Sequence, residues 1–243
     1  MISRTMHGIA YDEIHDEIVI PSPFAEAILF FRGEADGEEA PIRVIQGSNT
    51  HLDDIDALAA DPEHNEIFVP LRRQGAVLVF RRDVGGNVAP IRVLRSSNVT
   101  FTPYRLAIDP ENNLLVVANN NPPAIFMFDR TAQGDVAPKA TIAGPQTGFM
   151  QIQAVEVYPP TRSIVVEISD TVAASTEGRA KPGFIGVWNY SDEGDVAPRA
   201  VLRGPDGLMI RPRGMAINPE HKEIYVADMR RNALFTFSFP EIF

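Results

Sequence analysis

Residues 134–144 read GDVAPKATIAG, and residues 194–204 read GDVAPRAVLRG. Weaker copies stand earlier in the chain, GGNVAPIRVLRS from residue 85 and DGEEAPIRVIQG from residue 36. The anchor glycines Gly37, Gly86, Gly134 and Gly194 are 49, 48 and 60 residues apart. Between these copies a second unit recurs five times: GIAYDEIHDEIVI (8–20), ALAADPEHNEIFV (57–69), RLAIDPENNLLVV (105–117), AVEVYPPTRSIVV (154–166) and GMAINPEHKEIYV (214–226). Its central positions Ala10, Ala59, Ala107, Glu156 and Ala216 keep the same spacing, so the two motifs belong to one repeat, and a period of this size marks a repeat architecture.

Each unit reads as four short strands: an inner strand such as GIAY, a tight turn, a strongly apolar strand such as EIVIP, a third strand such as AILFFR, and, after the Gly-containing connector, an outer strand such as PIRVI. Turn residues recur every few positions and helical periodicity is almost absent. Four strands in each unit of roughly 40–50 residues is the arithmetic of a β-propeller blade, whose faces are both covered by its neighbours. The fold class expected is therefore all-β: one β-propeller domain over 1–243, with about five blades at approximately 1–50, 51–99, 100–147, 148–207 and 208–243. The unit of blade four is longer, and its excess falls in ISDTVAASTEGRAKPGF (168–184), a candidate lid or docking loop. Blade five shows no fifth copy of the outer strand after ALFTFSFPEIF. An unpaired edge there would invite strand addition by another chain.

The stretch RGMAINPEHKEIYVADMRRNALFTF (213–237) resembles the NHL-type repeats of six-bladed propellers, and the resemblance runs through essentially the whole chain. It implies a propeller fold, and it implies little about function, since such propellers serve as enzymes, binding modules and scaffolds.

Composition narrows the functional classes. A formal charge of −10, with no basic run, argues against nucleic acid as a partner. The chain has no cysteine, which removes disulfides, thiolate metal ligands and cysteine nucleophiles, and suits a reducing or an oxidising compartment equally. No stretch approaches the length of a membrane span, and MISRTMHGIAYDE lacks the apolar core of a secretory signal. Localisation is left open, a periplasmic or extracellular setting included if a leader has been removed.

Aligning the repeats with one another separates scaffold from variation. Asp12, Asp61, Asp109 and Asn218, the prolines that follow three of the five turns' acidic or amide residue, and His15, His64 and His221 all recur at the turn between the first two strands, as turn chemistry requires. The position just ahead of each inner strand instead holds His7, Asp56, Tyr104, Gln153 and Arg213. Five different polar residues at five equivalent places around a channel mouth make the candidate ligand-binding ring. The ends of the second strands face the same mouth and add Ser22, Arg72, Asn119, Asn120, Glu167 and Asp228.

Glu156 replaces the alanine kept by the other four blades at the middle of the inner strand, where a carboxylate needs a partner, water or a raised pKa. Glu156 and Glu167 are the candidates for acid–base catalysis, and Asn119, Glu167 and Asp228 are the candidates for holding a divalent cation such as calcium. No other cofactor is expected. GxSxG, HExxH, P-loop and dinucleotide-binding motifs are absent.

Three functional readings result. The first is a noncatalytic binding or scaffolding propeller that offers its polar ring to a protein partner or a small ligand. The second, implied by the family resemblance, is a metal-dependent lactone hydrolase or lyase using carboxylates at the mouth, although the glutamate expected near the start of the first blade is absent. The third is a subunit of a larger assembly that completes blade five with a partner strand.

Overall fold

The computed structural model describes residues 8–169, 183–203 and 208–243. Blade one consists of β1 (Ala10–Asp12), β2 (Glu17–Ser22), β3 (Ala27–Arg32) and β4 (Arg43–Gln46). Blade two consists of β5 (Ala59–Asp61), β6 (Glu66–Leu71), β7 (Ala76–Arg81) and β8 (Arg92–Arg95). A short strand β12 (Gly134–Asp135) from the next repeat joins its outer edge. Blade three holds β9 (Pro103–Asp109), β10 (Leu114–Asn120), β11 (Pro123–Asp129) and β13 (Ala140–Ile142). Blade four holds β14 (Gln151–Tyr158), β15 (Ser163–Ser169), β16 (Phe184–Asn189) and β17 (Ala200–Leu202). Blade five has β18 (Pro212–Asn218), β19 (Glu223–Asp228) and β20 (Ala233–Ser238), and no fourth strand among the described residues. Each blade is an antiparallel meander, and the blades follow one another around a central channel, which makes the protein an all-β propeller.

The second strands are apolar on both faces because both faces are covered. Four hydrophobic clusters lie between successive blades. Val19, Phe30 and Ile45 meet Ile67, Leu78 and Phe80 between blades one and two, and Phe68, Val79 and Leu94 meet Leu106, Leu115 and Phe128 between two and three. Ile125 and Met127 meet Ile164, Phe184 and Trp188 between three and four, and Val165 and Ile185 meet Ile224 and Val226 between four and five. Trp188 is fully buried and its indole N–H donates to the carbonyl of Val196 at 3.2 Å.

The recurrent turn is held as its composition requires. The carboxylate of Asp12 accepts the His15 N–H at 3.0 Å, Asp61 accepts that of His64 at 3.2 Å and Asp109 that of Asn112 at 3.0 Å. His15 and His64 turn their Nδ1 atoms back onto the same aspartates, at 2.9 and 3.0 Å, which accounts for the repeated histidines locally.

The GDVAP connector ties each blade to the one before it. Gly86 donates its N–H to Val44 O at 2.7 Å, Val136 donates to Arg95 O at 3.0 Å, and Gly194 donates to Thr141 O at 2.7 Å. The next side chain then caps the preceding blade: Asn87, Asp135 and Asp195 accept the backbone N–H of Asn49, Ser97 and Gln146, each at 2.7 Å. Gly86, Gly134 and Gly194 take φ of 83°, 74° and 78°, a left-handed backbone that favours glycine, with open space where a Cβ would stand. The first copy follows Gly37 with Glu38, and among the described residues no outer strand precedes blade one.

Buried ion pairs reinforce two of the junctions. Arg82, from blade two, reaches Glu17 at 2.7 Å and Asp12 at 3.3 Å in blade one. Arg130, from blade three, reaches Glu66 at 2.7 Å and Asp61 at 3.1 Å in blade two. At the junction of three and four the Tyr190 hydroxyl donates to Asp109 at 2.8 Å. Blade one carries Gly33 at the corresponding place. Among the described residues no helix is long and apolar enough to cross a membrane.

Candidate functional site

The pairing of inner and second strands slips by one residue at the mouth end of three blades. The register skips Tyr104 in β9, Gln153 in β14 and Arg213 in β18. Three members of the expected ring are thus bulge residues, and a bulge re-aims its side chain. Asp56 lies just ahead of β5, half-buried. His7 and residues 170–182, the greater part of the expected lid, lie outside the described residues.

The structure joins the three bulge residues through a residue the ring omits, Arg105. Its Nε donates to the carbonyl of Gln153 at 2.9 Å, its Nη1 to the carbonyl of Tyr104 at 3.1 Å and its Nη2 to the Tyr104 hydroxyl at 3.3 Å. Its guanidinium lies 4.0 Å from the Tyr104 ring centroid. Burial pulls the Arg105 guanidinium below its usual value, opposed by Tyr104 and Asp56. Gln153 in turn accepts Arg213 Nη1 on its Oε1 at 3.0 Å and donates from Nε2 to Ser169 Oγ at 3.1 Å. The chain Tyr104–Arg105–Gln153–Arg213 therefore bridges blades three, four and five. Arg105 was legible in principle: the residue two ahead of the inner-strand alanine is Gly8, Ala57, Ala154 and Gly214 in the other blades, and arginine only here.

These side chains line the central channel, where a cavity of about 160 Å³ is bounded by Arg105, Gln153, Glu156 and Arg213 against apolar walls that include Leu58 and Met215. Within it the Nε of Arg213 is buried without a hydrogen-bond partner among the described residues. Glu156 is half-buried and faces the channel, and burial pushes its carboxyl up to about 7. A larger, open groove of about 560 Å³ at Ala25, Glu26, Gln46, Gly47 and His51 has polar side chains that are exposed to solvent and do not converge.

Glu167 sits opposite Ala154 in the β14–β15 register, diagonal to Glu156 on the same face. By the same register its equivalents are Ala118 and Ala227, whereas Asn119 and Asp228 correspond to Ile168. Glu167 therefore faces blade five, and Asp228 faces it from the other side of that junction. The Glu167 carboxyl is fully buried, and neither oxygen is hydrogen-bonded to any of the described residues. Burial, joined by the negative charge of Asp228 and opposed by Arg105 and Arg213, pushes it up to about 8.

Asp228 is a structural clamp. One carboxylate oxygen accepts the N–H groups of Ile210 and Arg211 at 2.7 and 2.8 Å, and the other accepts those of Arg230 and Arg231, both at 2.9 Å. Asn119 does the same in blade three, accepting the Thr102 N–H at 2.5 Å and donating to Pro122 O at 2.7 Å. Neighbouring Asn120 pins blade four through the N–H and carbonyl of Ile152, at 2.7 and 3.0 Å. Among the described residues no group of three or more His, Asp or Glu side chains converges to hold a metal ion.

Fold and mouth together define a β-propeller with a polar, arginine-bearing channel entrance. Among solved structures, a chain of one described as "Crystal Structure of Mitotic Checkpoint Complex" superposes with a TM-score of 0.61 at 15% sequence identity, over 92% of this chain and 59% of that one. The present chain thus spans less than two thirds of that neighbour. No protein-family profile matches the sequence, and no curated protein does.

Proposed function

We propose that the protein is a noncatalytic binding propeller whose channel mouth takes an acidic group, carried by a protein partner or by a small carboxylate ligand. The NHL-like repeat pattern fits this reading, as does the neighbour's place in a protein complex. The observation that carries it is Arg213, held by Gln153 at 3.0 Å at the wall of the channel cavity with its Nε buried and unpaired. A buried donor without a partner is costly, and an incoming carboxylate is the partner whose geometry suits a guanidinium edge. Arg105 supplies a second cation, already fixed by three bonds, so little ordering remains to be done on binding.

Isothermal titration with succinate, and separately with an acidic peptide, tests the reading. Wild-type protein is expected to bind at least one probe saturably, and Arg213→Ala to weaken that binding by about tenfold or more, as loss of a charge-assisted hydrogen bond implies. Binding of the peptide alone would assign the mouth to a protein partner, and binding of succinate to a small ligand. Absence of binding by both, or binding indifferent to Arg213→Ala, would sink the proposal.

A further inference from the structure

Blade five is open at its outer edge in a way that specifies what fits there. In blades one to four the carbonyls of Phe30, Val79, Met127 and Val187 accept the N–H groups of Ile42, Ile91, Lys139 and Arg199 from the outer strand, at 2.7–2.8 Å. Thr236 holds that place in blade five, on β20, which pairs with β19 alone among the described residues. The edge is undefended. Its sequence Ala-Leu-Phe-Thr-Phe-Ser has no charge and no proline, and Leu234 is 69% exposed. The chain beyond it does not turn back along this edge. Phe239 and Ile242 bury themselves against blade four, where the Thr161 hydroxyl donates to Ile242 O at 2.7 Å and the Phe243 ring packs edge-on to Tyr158 at 5.0 Å.

The internal repeats carry a covariation that reads the missing strand. The first residue of the second strand is Glu17, Glu66, Leu114, Ser163 and Glu223 in blades one to five. The matching outer-strand residue is Arg43, Arg92, Ala140 and Ala200 in blades one to four. Where the glutamate is present an arginine meets it, Arg43 on Glu17 at 2.6 Å and Arg92 on Glu66 at 2.5 Å; where it is absent the outer strand has alanine. Blade five has the glutamate. Among the described residues Glu223 receives only the Tyr225 hydroxyl, at 3.2 Å, and Gly33 stands where the following blade would supply the second arginine that Glu17 and Glu66 take. Arg43 also lies over Phe30 and Arg92 over Phe68, at 4.1 and 5.9 Å; Tyr225 is the blade-five residue equivalent to Phe68.

We infer that blade five is completed by an extended segment of a partner chain that adds antiparallel to β20 and carries arginine, in the pattern Pro-hydrophobic-Arg-hydrophobic-hydrophobic, to pair with Glu223. Main-chain bonds to the edge supply affinity and the Glu223–arginine pair supplies selectivity. This surface is separate from the channel mouth, and the inference does not depend on the function proposed for it.

The probe is a fluorescent peptide with the sequence of residues 40–47, APIRVIQG, used beside its Arg43→Ala version, and both are titrated by anisotropy against the full chain and its Glu223→Gln variant. The arginine peptide is expected to bind wild-type protein about tenfold more tightly than the alanine peptide, and Glu223→Gln to reduce that ratio to about threefold or less, a coupling that a double-mutant cycle isolates. Arg213→Ala should leave the peptide's affinity unchanged. The inference is overturned if the arginine peptide fails to bind, if Glu223→Gln does not alter the ratio, or if sedimentation shows the edge filled by a second copy of the chain.

Discussion

At the scale of single residues, Glu167 shows how one side chain can make stability depend on pH. Its carboxyl stands between two blades with both oxygens unbonded, and burial lifts it from the ordinary carboxyl value of 4.5 to about 8. The folded state thus holds a proton that the unfolded chain releases. Below the unfolded value both states are protonated and the site's contribution is complete. Between about 4.5 and about 8 the unfolded state ionises alone, so stability falls as pH rises through this window and levels off above it. Glu167→Gln keeps the shape and removes the titration. The variant should match wild type near pH 4 and exceed it at pH 9 by about 1–3 kcal/mol, raising Tm by about 2–4 °C for each. Thermal unfolding across that range checks this, and parallel profiles for the two proteins would contradict it. Arg105 is the complementary case, a cation satisfied by three bonds, one of which crosses from blade three to the Gln153 carbonyl in blade four.

Between elements, the junctions are held by apolar layers supplemented by specific polar ties, and the two kinds differ in how they can be read. The strands and their order were legible, because the repeats place Val, Ile and Phe at fixed intervals and the Asp/Asn turns between them. The GDVAP connector was legible as a connector. That Asn87, Asp135 and Asp195 cap the blade before them was not, since the acceptor and its N–H are about forty to fifty residues apart and no local pattern links them. At the mouth, Tyr104, Gln153 and Arg213 were found by position, yet that they stand on bulges was not. Glu167 was grouped with Asp228 as an end of a second strand, although the aligned units already set it level with Ala118 and Ala227, one residue short of Asp228, and the hydrogen-bond register agrees. The buried ties have a measurable worth. Arg130→Met leaves Asp61 and Glu66 buried, with Glu66 held by Arg92 alone, and should cost about 3–5 kcal/mol in denaturant unfolding. A loss below about 1 kcal/mol would show that the apolar layer between blades two and three carries the junction unaided.

For the molecule as a whole, the ring is uneven in how it is closed. Every neighbouring pair from blade one to blade five shares a hydrophobic cluster, while among the described residues blades five and one share none. The ties are missing on the same side: Gly33 replaces the junction arginine or tyrosine, and Glu38 replaces the capping Asp or Asn. The facing surfaces agree. Ile9 and Tyr11 on blade one are 69% and 59% exposed, and blade five exposes Leu234 and Thr236 where its sister blades bury Ile28, Val77, Ile125 and Ile185, and Phe30, Val79, Met127 and Val187. In an array whose units are stabilised by their neighbours, a unit covered on one face only opens more readily than one covered on both. Amide hydrogen exchange should therefore be graded around the ring, with β19 and β20 exchanging at least about tenfold faster than β10 and β11, a difference of about 1.4 kcal/mol in local opening. Peptide APIRVIQG, if it fills the outer position, should slow β20 and leave β10 unchanged. Uniform protection across all five blades would mean that the junction between five and one is as tightly held as the rest, and the uneven ring would have to be abandoned.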